Sequence, residues 1–361
     1  MSEKKRKGTP LWQISKKFNF AAEKIIPDSF VFCVVLTLVV AVLSLTVCHI
    51  GPVELLTSWW DGLSSQFTLA FQMGLMVVVC ATCARSPQVS KLLDGLSGLV
   101  HTRVAALILL MAFGYVSSML NWAFCTIVTP ILAMQLAKRV KGLHFPMMVA
   151  GGYCCMILGQ CLGPSATLYS NLATEGSNYA EIVGKTMTVA ETCYNPVNVV
   201  LWVILAVCFI VLVLFTQPGD DELVELRSIA TQADVAPKDY QSREKATTPA
   251  EKMNTCKPIM WVVGAAIFIY IIYSIATKGF FATLNMNMVI FMFVGINCFL
   301  FPQPHSWMEA HTDSMHLATD VILQFPFYGA IMGMMYVVGG LGSVIVNADN
   351  ADLLIPVSLY C

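Results

Sequence analysis

The stretch SSMLNWAFCTIVTPILAMQLAKRV, Ser117 to Val140, decides how the rest of the chain is read. It lies inside an apolar run that begins at Val104 and reaches Ala137 without one charge. At 1.5 Å of rise per residue, a helix of about 34 residues overshoots a hydrocarbon layer of roughly 30 Å. Lys138, Arg139 and Lys141 follow it, so the chain is expected to cross outward and return, turning near Asn121. At the middle sit Ser117, Ser118, Asn121 and Trp122, with Pro130 further on. Backbone polar groups in hydrocarbon need partners within the protein, so a polar break there is tolerated only where protein or a water-filled cavity encloses it. Two readings stand: a broken or re-entrant helix of the kind that builds a transporter's substrate site, and a tight turn at the outer surface with Trp122 as an interfacial anchor.

Composition sets the frame around that stretch. Of 361 residues, 57% are hydrophobic and only 12% charged, about half the charged share of an ordinary soluble protein. The chain is therefore read as an all-α integral membrane protein, a multi-span bundle with inverted repeats and re-entrant or broken helices. The net charge of −1 supplies no field to recruit nucleic acid. Most of the 13 cysteines fall in apolar runs, where a free thiol packs as a small hydrophobe. Cys80 and Cys83 form one C-x-x-C without a second pair, which reads as helix packing and not as a metal site.

Lys4, Lys5, Arg6, Lys7, Lys16, Lys17 and Lys24 precede the first apolar run, so residues 1–28 are expected in the cytoplasm, with no cleaved signal. A first membrane repeat, residues 29–216, opens with Ser29 to Cys48. Gly51 to Phe67 carries Glu54 and Asp61 but no Lys or Arg, which fits the outer face, with Trp59 and Trp60 at headgroup level. Thr68 to Ala84 returns inward to Arg85, Lys91 and Arg103, beside an amphipathic piece from Val89 to Leu99. Phe145 to Tyr169 goes out again, rich in small residues, and Gly163 and Pro164 are expected to break it near Ser165 and Thr167. Val197 to Phe215 reads as scaffold. Residues 217–257 mix both signs of charge and are read as a cytoplasmic linker with little fixed structure. Residues 258–346 form a partial second repeat: Pro258 to Ala276, Thr283 to Phe301, an amphipathic approach from His305 to Leu317, and Ala318 to Val346.

The two halves echo one another weakly. Ser29 to Cys48, SWWDG (Ser58 to Gly62) and a span containing Gln72 are followed in the same order by Thr283 to Phe301, SWMEA (Ser306 to Ala310) and a span containing Gln324. Such internal symmetry is the usual trace of a transporter built from repeats.

Six pieces together carry a resemblance: PDSFVFCVVLTLVV (Pro27 to Val40), SWWDGLSSQFTLAFQMGLMVV (Ser58 to Val78), SMLNWAF (Ser118 to Phe124), AKRVKGLHFPMMVAGGY (Ala137 to Tyr153), VAETCYNPVN (Val189 to Asn198) and ILQFPFYGAIMGMM (Ile322 to Met335). In these, from about Leu11 to Met335, the chain resembles the bacterial short-chain fatty acid transporters, the acetoacetate and butyrate permease family. The resemblance implies an inner-membrane secondary carrier for short-chain carboxylates, similar in build to a wider superfamily with inverted repeats and re-entrant hairpins. Gly159 to Thr174 departs from the family pattern. The 347–361 tail, within NADNADLLIPVSLYC, does not resemble the family's further helices, so a truncated second repeat is expected.

A short-chain carboxylate is a small anion, and no Lys or Arg lies inside an expected span. Half-helix N-termini, hydroxyls and amides must then hold it. Ser117, Ser118, Asn121, Trp122, Ser165 and Thr167 are the candidates at the two breaks, and Gln324 and Tyr328, at i and i+4, add donors from the second half. Against this stands the ordinary role of membrane Ser and Thr, which bond their own backbone or a neighbouring helix. Asp320, one turn before Gln324, is the candidate for a coupled proton or sodium ion, or simply an acid placed well on a helix dipole. The expected partners are the carboxylate, the lipid bilayer, a coupling ion and a second copy of the chain. No cofactor is implied. No H-E-x-x-H, G-x-S-x-G, P-loop or dinucleotide fingerprint is present, so an enzyme is not expected. The rival readings are a channel or structural membrane protein and an inactive truncated carrier.

Overall fold

The computed structural model describes residues 8–46, 49–162, 169, 172–173, 183–229, 238–240 and 247–337. Among the described residues the chain is helical and has no strand. The main helices are α1 (Pro10–Ile25), α2 (Ser29–Thr46), α3 (Pro52–Ser65), α4 (Phe67–Ala84), α5 (Pro87–Ser97), α6 (Arg103–Leu120), α7 (Trp122–Arg139), α8 (Phe145–Leu162), α9 (Pro196–Phe215), α10 (Lys257–Lys278), α11 (Met286–Leu300), α12 (Pro304–Met315) and α13 (Thr319–Val337). Six stretches among the described residues are long and apolar enough to cross a membrane: Ser29–Thr46, Pro52–Ala84, Arg103–Leu120, Pro196–Phe215, Pro249–Lys278 and Pro304–Met335.

The sequence starts these helices with ordinary signals. Proline occupies the first turn of α3, α5, α9 and α12, where its missing N–H costs nothing. The Thr102 hydroxyl accepts from the Ala105 N–H to open α6, and Asn285 Oδ1 accepts from the Met288 N–H to open α11. Along α9, Val197, Leu201, Ile204 and Phe215 are exposed. An apolar helix left bare in this way has lipid as its solvent.

The chain divides into two compact units, Met1–Phe18 with Met76–His316, and Asn19–Leu75 with Leu317–Cys361. In the larger unit, α5 to α9 surround one core, in which Leu110, Leu132, Leu136, Met148 and Leu158 are fully buried. Glycine lets the backbones of α6, α7 and α8 approach. A Cβ on Gly114 would meet Cys155 Sγ at 2.7 Å, one on Gly152 would meet Thr129 Oγ1 at 2.6 Å, and one on Gly159 would meet Ser118 Cβ at 2.7 Å. Two hydrogen bonds tie α9 on: Trp202 Nε1 donates to the Leu158 carbonyl at 3.1 Å and Tyr115 Oη to the Ala206 carbonyl at 3.0 Å.

Residues 217–229 depart from the expectation of a linker with little fixed structure. The Thr9 N–H donates to the Gln217 carbonyl at 3.0 Å, the Gly142 N–H to Glu225 Oε1 at 2.7 Å, and the Val224 N–H to His144 Nδ1 at 3.0 Å. Trp12 Nε1 and Lys16 Nζ both donate to Glu222, and Arg103 pairs with Asp220 at 3.6 Å. These are backbone and long-range bonds, which composition does not encode. Gly142 sits at φ +73°, where a side chain would be strained and would run into the Arg103 guanidinium.

In the smaller unit, α3 lies along α13. Gly62 packs directly on Gly329 and Gly333, the two glycines of a G-x-x-x-G in α13, and a Cβ on Gly62 would meet Gly333 Cα at 2.8 Å. Phe327 takes Phe30 and Trp59 edge-on, at 5.3 and 6.2 Å. Within Gly51 to Phe67, the segment expected at the outer face, Pro52–Ser65 is a helix closely packed on another. Ser58, Gly62 and Gln66, at i, i+4 and i+8, line the seam against Gly329 and Gly333. The order apolar helix, Trp-bearing helix, apolar helix that runs through α2, α3 and α4 occurs again in α11, α12 and α13.

Candidate functional site

The break in Val104 to Ala137 falls at Asn121, the one residue between α6 and α7. Its backbone is extended, at φ −162° and ψ 132°. Its N–H still closes α6 on the Ser117 carbonyl at 3.0 Å, and its carbonyl accepts the first bond of α7 from the Cys125 N–H at 3.1 Å. Asn121 Oδ1 accepts from the Ala123 and Phe124 N–H groups at 2.7 and 3.1 Å, relieving two of the orphan donors that every helix start carries. With Oδ1 committed in this way, the amide nitrogen points elsewhere.

Each of the two helices has 18 residues, or about 27 Å at 1.5 Å per residue. Length alone therefore puts the turn toward the far side of a hydrocarbon layer of about 30 Å. Burial separates it from a surface turn: Asn121 is 0% exposed, and Ser117 and Ser118 are 2% and 0%.

The structure sorts the sequence candidates sharply. Ser117 Oγ donates to the Gly114 carbonyl at 3.0 Å and Ser118 Oγ to the Tyr115 carbonyl at 2.9 Å, so both hydroxyl protons are spent on their own helix. Asn121 Nδ2 and Trp122 Nε1, by contrast, are buried and have no hydrogen-bond partner. Both residues stand at the N-terminus of an 18-residue helix, which carries about half a positive charge. A buried donor left so costs about 1–3 kcal/mol. Any group that brings acceptor oxygens removes the penalty, a carboxyl among them.

Ser165 and Thr167, at the expected break after Gly163 and Pro164, lie outside the described residues. Gln324 and Tyr328 belong to the smaller unit and pair there: Tyr328 Oη donates to Gln324 Oε1 at 3.0 Å, and Gln324 Nε2 donates to Ser29 Oγ at 2.9 Å. Asp320 is exposed in the first turn of α13, a favourable place for an acid on the helix dipole.

Sequence reasoning passed over Asn297. On α11 it is 0% exposed, and its Nδ2 donates to the Val79 carbonyl of α4 at 2.8 Å. That bond fixes the amide's orientation, and Oδ1 is left buried without a partner. The signal was available, since an amide in an apolar run is what singled out Asn121 and Gln324. A ring contact connects it to the start of α7. Phe293, one turn before Asn297, packs on Phe124 at 5.4 Å. Among the described residues no group of His, Cys, Asp or Glu side chains is placed to hold a metal ion.

A family model described as short chain fatty acid transporter matches residues 11–355. A "Putative short-chain fatty acid transporter" of Escherichia coli (strain K12) is 27% identical over 346 residues, covering 94% of this chain and 77% of that protein. A Haemophilus influenzae protein of the same description is 26% identical over 353 residues, again covering 94% and 77%. No solved structure matches the chain. The six apolar stretches make it a multi-pass membrane protein, and on the match over nearly its whole length the chain belongs to the short chain fatty acid transporter family.

Proposed function

We propose that this chain is a secondary carrier that moves short-chain fatty acids such as butyrate and acetoacetate across the bacterial inner membrane by alternating access. The observation that carries the reading is the pair of buried, unpartnered donors Asn121 Nδ2 and Trp122 Nε1 at the N-terminus of α7. They donate to the substrate carboxyl, assisted by the helix dipole. The spans that alternate are the two repeats, 29–216 and 258–346, whose helix order matches from α2 to α4 and from α11 to α13. The N-terminus lies in the cytoplasm: its basic residues and those at Arg85, Arg103 and Lys138 to Lys141 are separated by even numbers of the expected crossings, which supports one shared positive side.

Uptake of labelled butyrate into vesicles holding the purified chain tests this, with excess acetoacetate as competitor. Saturable uptake, suppressed by acetoacetate and accelerated by substrate preloaded on the far side, is the expected result. Uptake that does not saturate and shows no counterflow is that of a channel and removes the carrier reading.

A further inference from the structure

Resting on that reading, we propose that the substrate is bound as the neutral carboxylic acid, its O–H donated to Asn297 Oδ1 while its other oxygen accepts from Asn121 Nδ2 and Trp122 Nε1. The three unpartnered atoms have a definite polarity. Asn121 Oδ1 is used by the Ala123 and Phe124 N–H groups, so only its donor end is free. Asn297 Nδ2 is used by the Val79 carbonyl, so only its acceptor end is free. The set is two donors and one acceptor, each buried. A carboxylate accepts only and leaves the acceptor facing an anion; a carboxylic acid has one donor and spare acceptors, and it meets all three.

Charge points the same way. The titratable side chains on α4, α11 and the first three turns of α7 are the thiols Cys80, Cys83, Cys125 and Cys298. α6 and α8, packed on α7, add Tyr115, Tyr153, Cys154, Cys155 and Cys161; α5, whose Lys91 is exposed, meets α7 at its far end, where Asp94 pairs with Arg139; and α10, packed on α11, adds Tyr270 and Tyr273 between lysines 257 and 278 at its ends. No lysine, arginine or histidine faces the site from these helices except at their ends. A bare anion entering such surroundings gives up its hydration without a counter-charge, and groups so placed neutralise instead. The carboxylate takes one proton from water on the loading side, crosses as the acid, and gives that proton to water on the release side. One proton thus accompanies each substrate and no net charge moves. In this scheme the coupled proton rides on the substrate, and Asn297 acts as the residue that selects the protonated form.

The test is saturable uptake by the reconstituted full chain between pH 5.5 and 7.5, with leakage through empty vesicles subtracted. Two substrates are compared, butyrate and a chlorinated butyrate of lower carboxyl pKa. A carboxyl with an ordinary pKa near 4.3 is protonated in about one molecule in five hundred at pH 7. If the acid is the bound form, KM in total substrate rises about tenfold per pH unit above the substrate's pKa, and the chlorinated acid's curve is displaced by the difference between the two pKa values. Asn297→Leu flattens the dependence and Asn297→Gln restores it. Saturable uptake with a KM that ignores pH means that the anion binds, and one pH profile shared by both acids places the proton on a protein group; either result overturns the inference and leaves the carrier intact. If neither acid shows saturable uptake, the carrier reading and this inference fall together. The wild-type curves decide the matter even if the leucine variant does not fold.

Discussion

At the residue scale, Asn121 caps α7 with one end of its amide and leaves the other end without a partner, and substitutions separate the two ends. Asn121→Asp keeps an oxygen for the Ala123 and Phe124 N–H groups and, held ionised by those two donors and the helix N-terminus, has no donor to offer. Uptake measured on this variant is expected to show KM raised about tenfold, with thermal stability changed little. Asn121→Ala removes both ends and costs a further ~1 kcal/mol of stability from the lost cap. An unchanged KM in both variants excludes Asn121 from the site. Trp122→Phe deletes one N–H and keeps most of the ring, and is expected to raise KM about three- to tenfold. A third residue, His144, works outside the spans. Burial holds its pKa below the usual histidine value, against the opposing pull of the Glu222 carboxylate. Neutral His144 accepts the Val224 N–H on Nδ1; the imidazolium has no lone pair to offer. A histidine pKa depressed by folding gives stability that is complete above about pH 6.5 and is lost as pH falls through the folded value. Amide exchange at Val224 should therefore accelerate as pH drops below about 6.5, after correction for intrinsic exchange. His144→Asn, which keeps an acceptor that does not titrate, should abolish that extra acceleration.

At the element scale, the molecule is held by close helix approaches that cysteine, serine and glycine permit. α8 touches Ser118 at Gly159, so a side chain there pushes on the residue three before Asn121. Gly159→Val is expected to destabilise by about 1–3 kcal/mol and to raise KM as well, since the displaced backbone carries the turn. The seam of α3 and α13 lies in the other unit. Gly333→Leu drives four carbons into the Ser58 carbonyl and Gly62, with a comparable loss of about 1–3 kcal/mol. Detergent melting of the purified variants checks both. A Gly333→Leu protein that melts with wild type shows that α3 and α13 do not pack as described. Pro130 and Pro326 sit inside α7 and α13, each leaving one carbonyl without its intrahelical N–H. Pro130 follows Thr129, whose hydroxyl donates to the Cys125 carbonyl at 2.7 Å and packs against Gly152.

At the scale of the whole molecule, the bonds of Thr9 to Gln217 and of Gly142 to Glu225 put the N-terminal helix, the α7–α8 turn and the start of the long hydrophilic segment on one face. No stretch between Gln217 and Cys256 is long and apolar enough to cross the membrane. In a chain with its other thiols replaced, native Cys256 and a cysteine introduced by Lys17→Cys should both react with an impermeant maleimide in inverted vesicles and neither in intact cells. Labelling from opposite faces contradicts the shared junction. The sequence by itself determined that the chain is a helical membrane protein, where its helices begin, that Val104 to Ala137 turns at Asn121, and which family it resembles. Those follow from local quantities: hydropathy summed over a span, capping residues, a polar side chain in an apolar run. Asn297 met the same local criterion and was still passed over, because nothing local says which end of an amide is free. The tertiary structure alone decided that Ser117 and Ser118 spend their protons on their own helix, that Gln324 and Tyr328 pair with one another, and that residues 217–229 are fastened to α1 and His144. A hydrogen-bond donor is available to a ligand only when its neighbours leave it unsatisfied, and those neighbours come from helices far apart in sequence, as Val79 and Asn297 do.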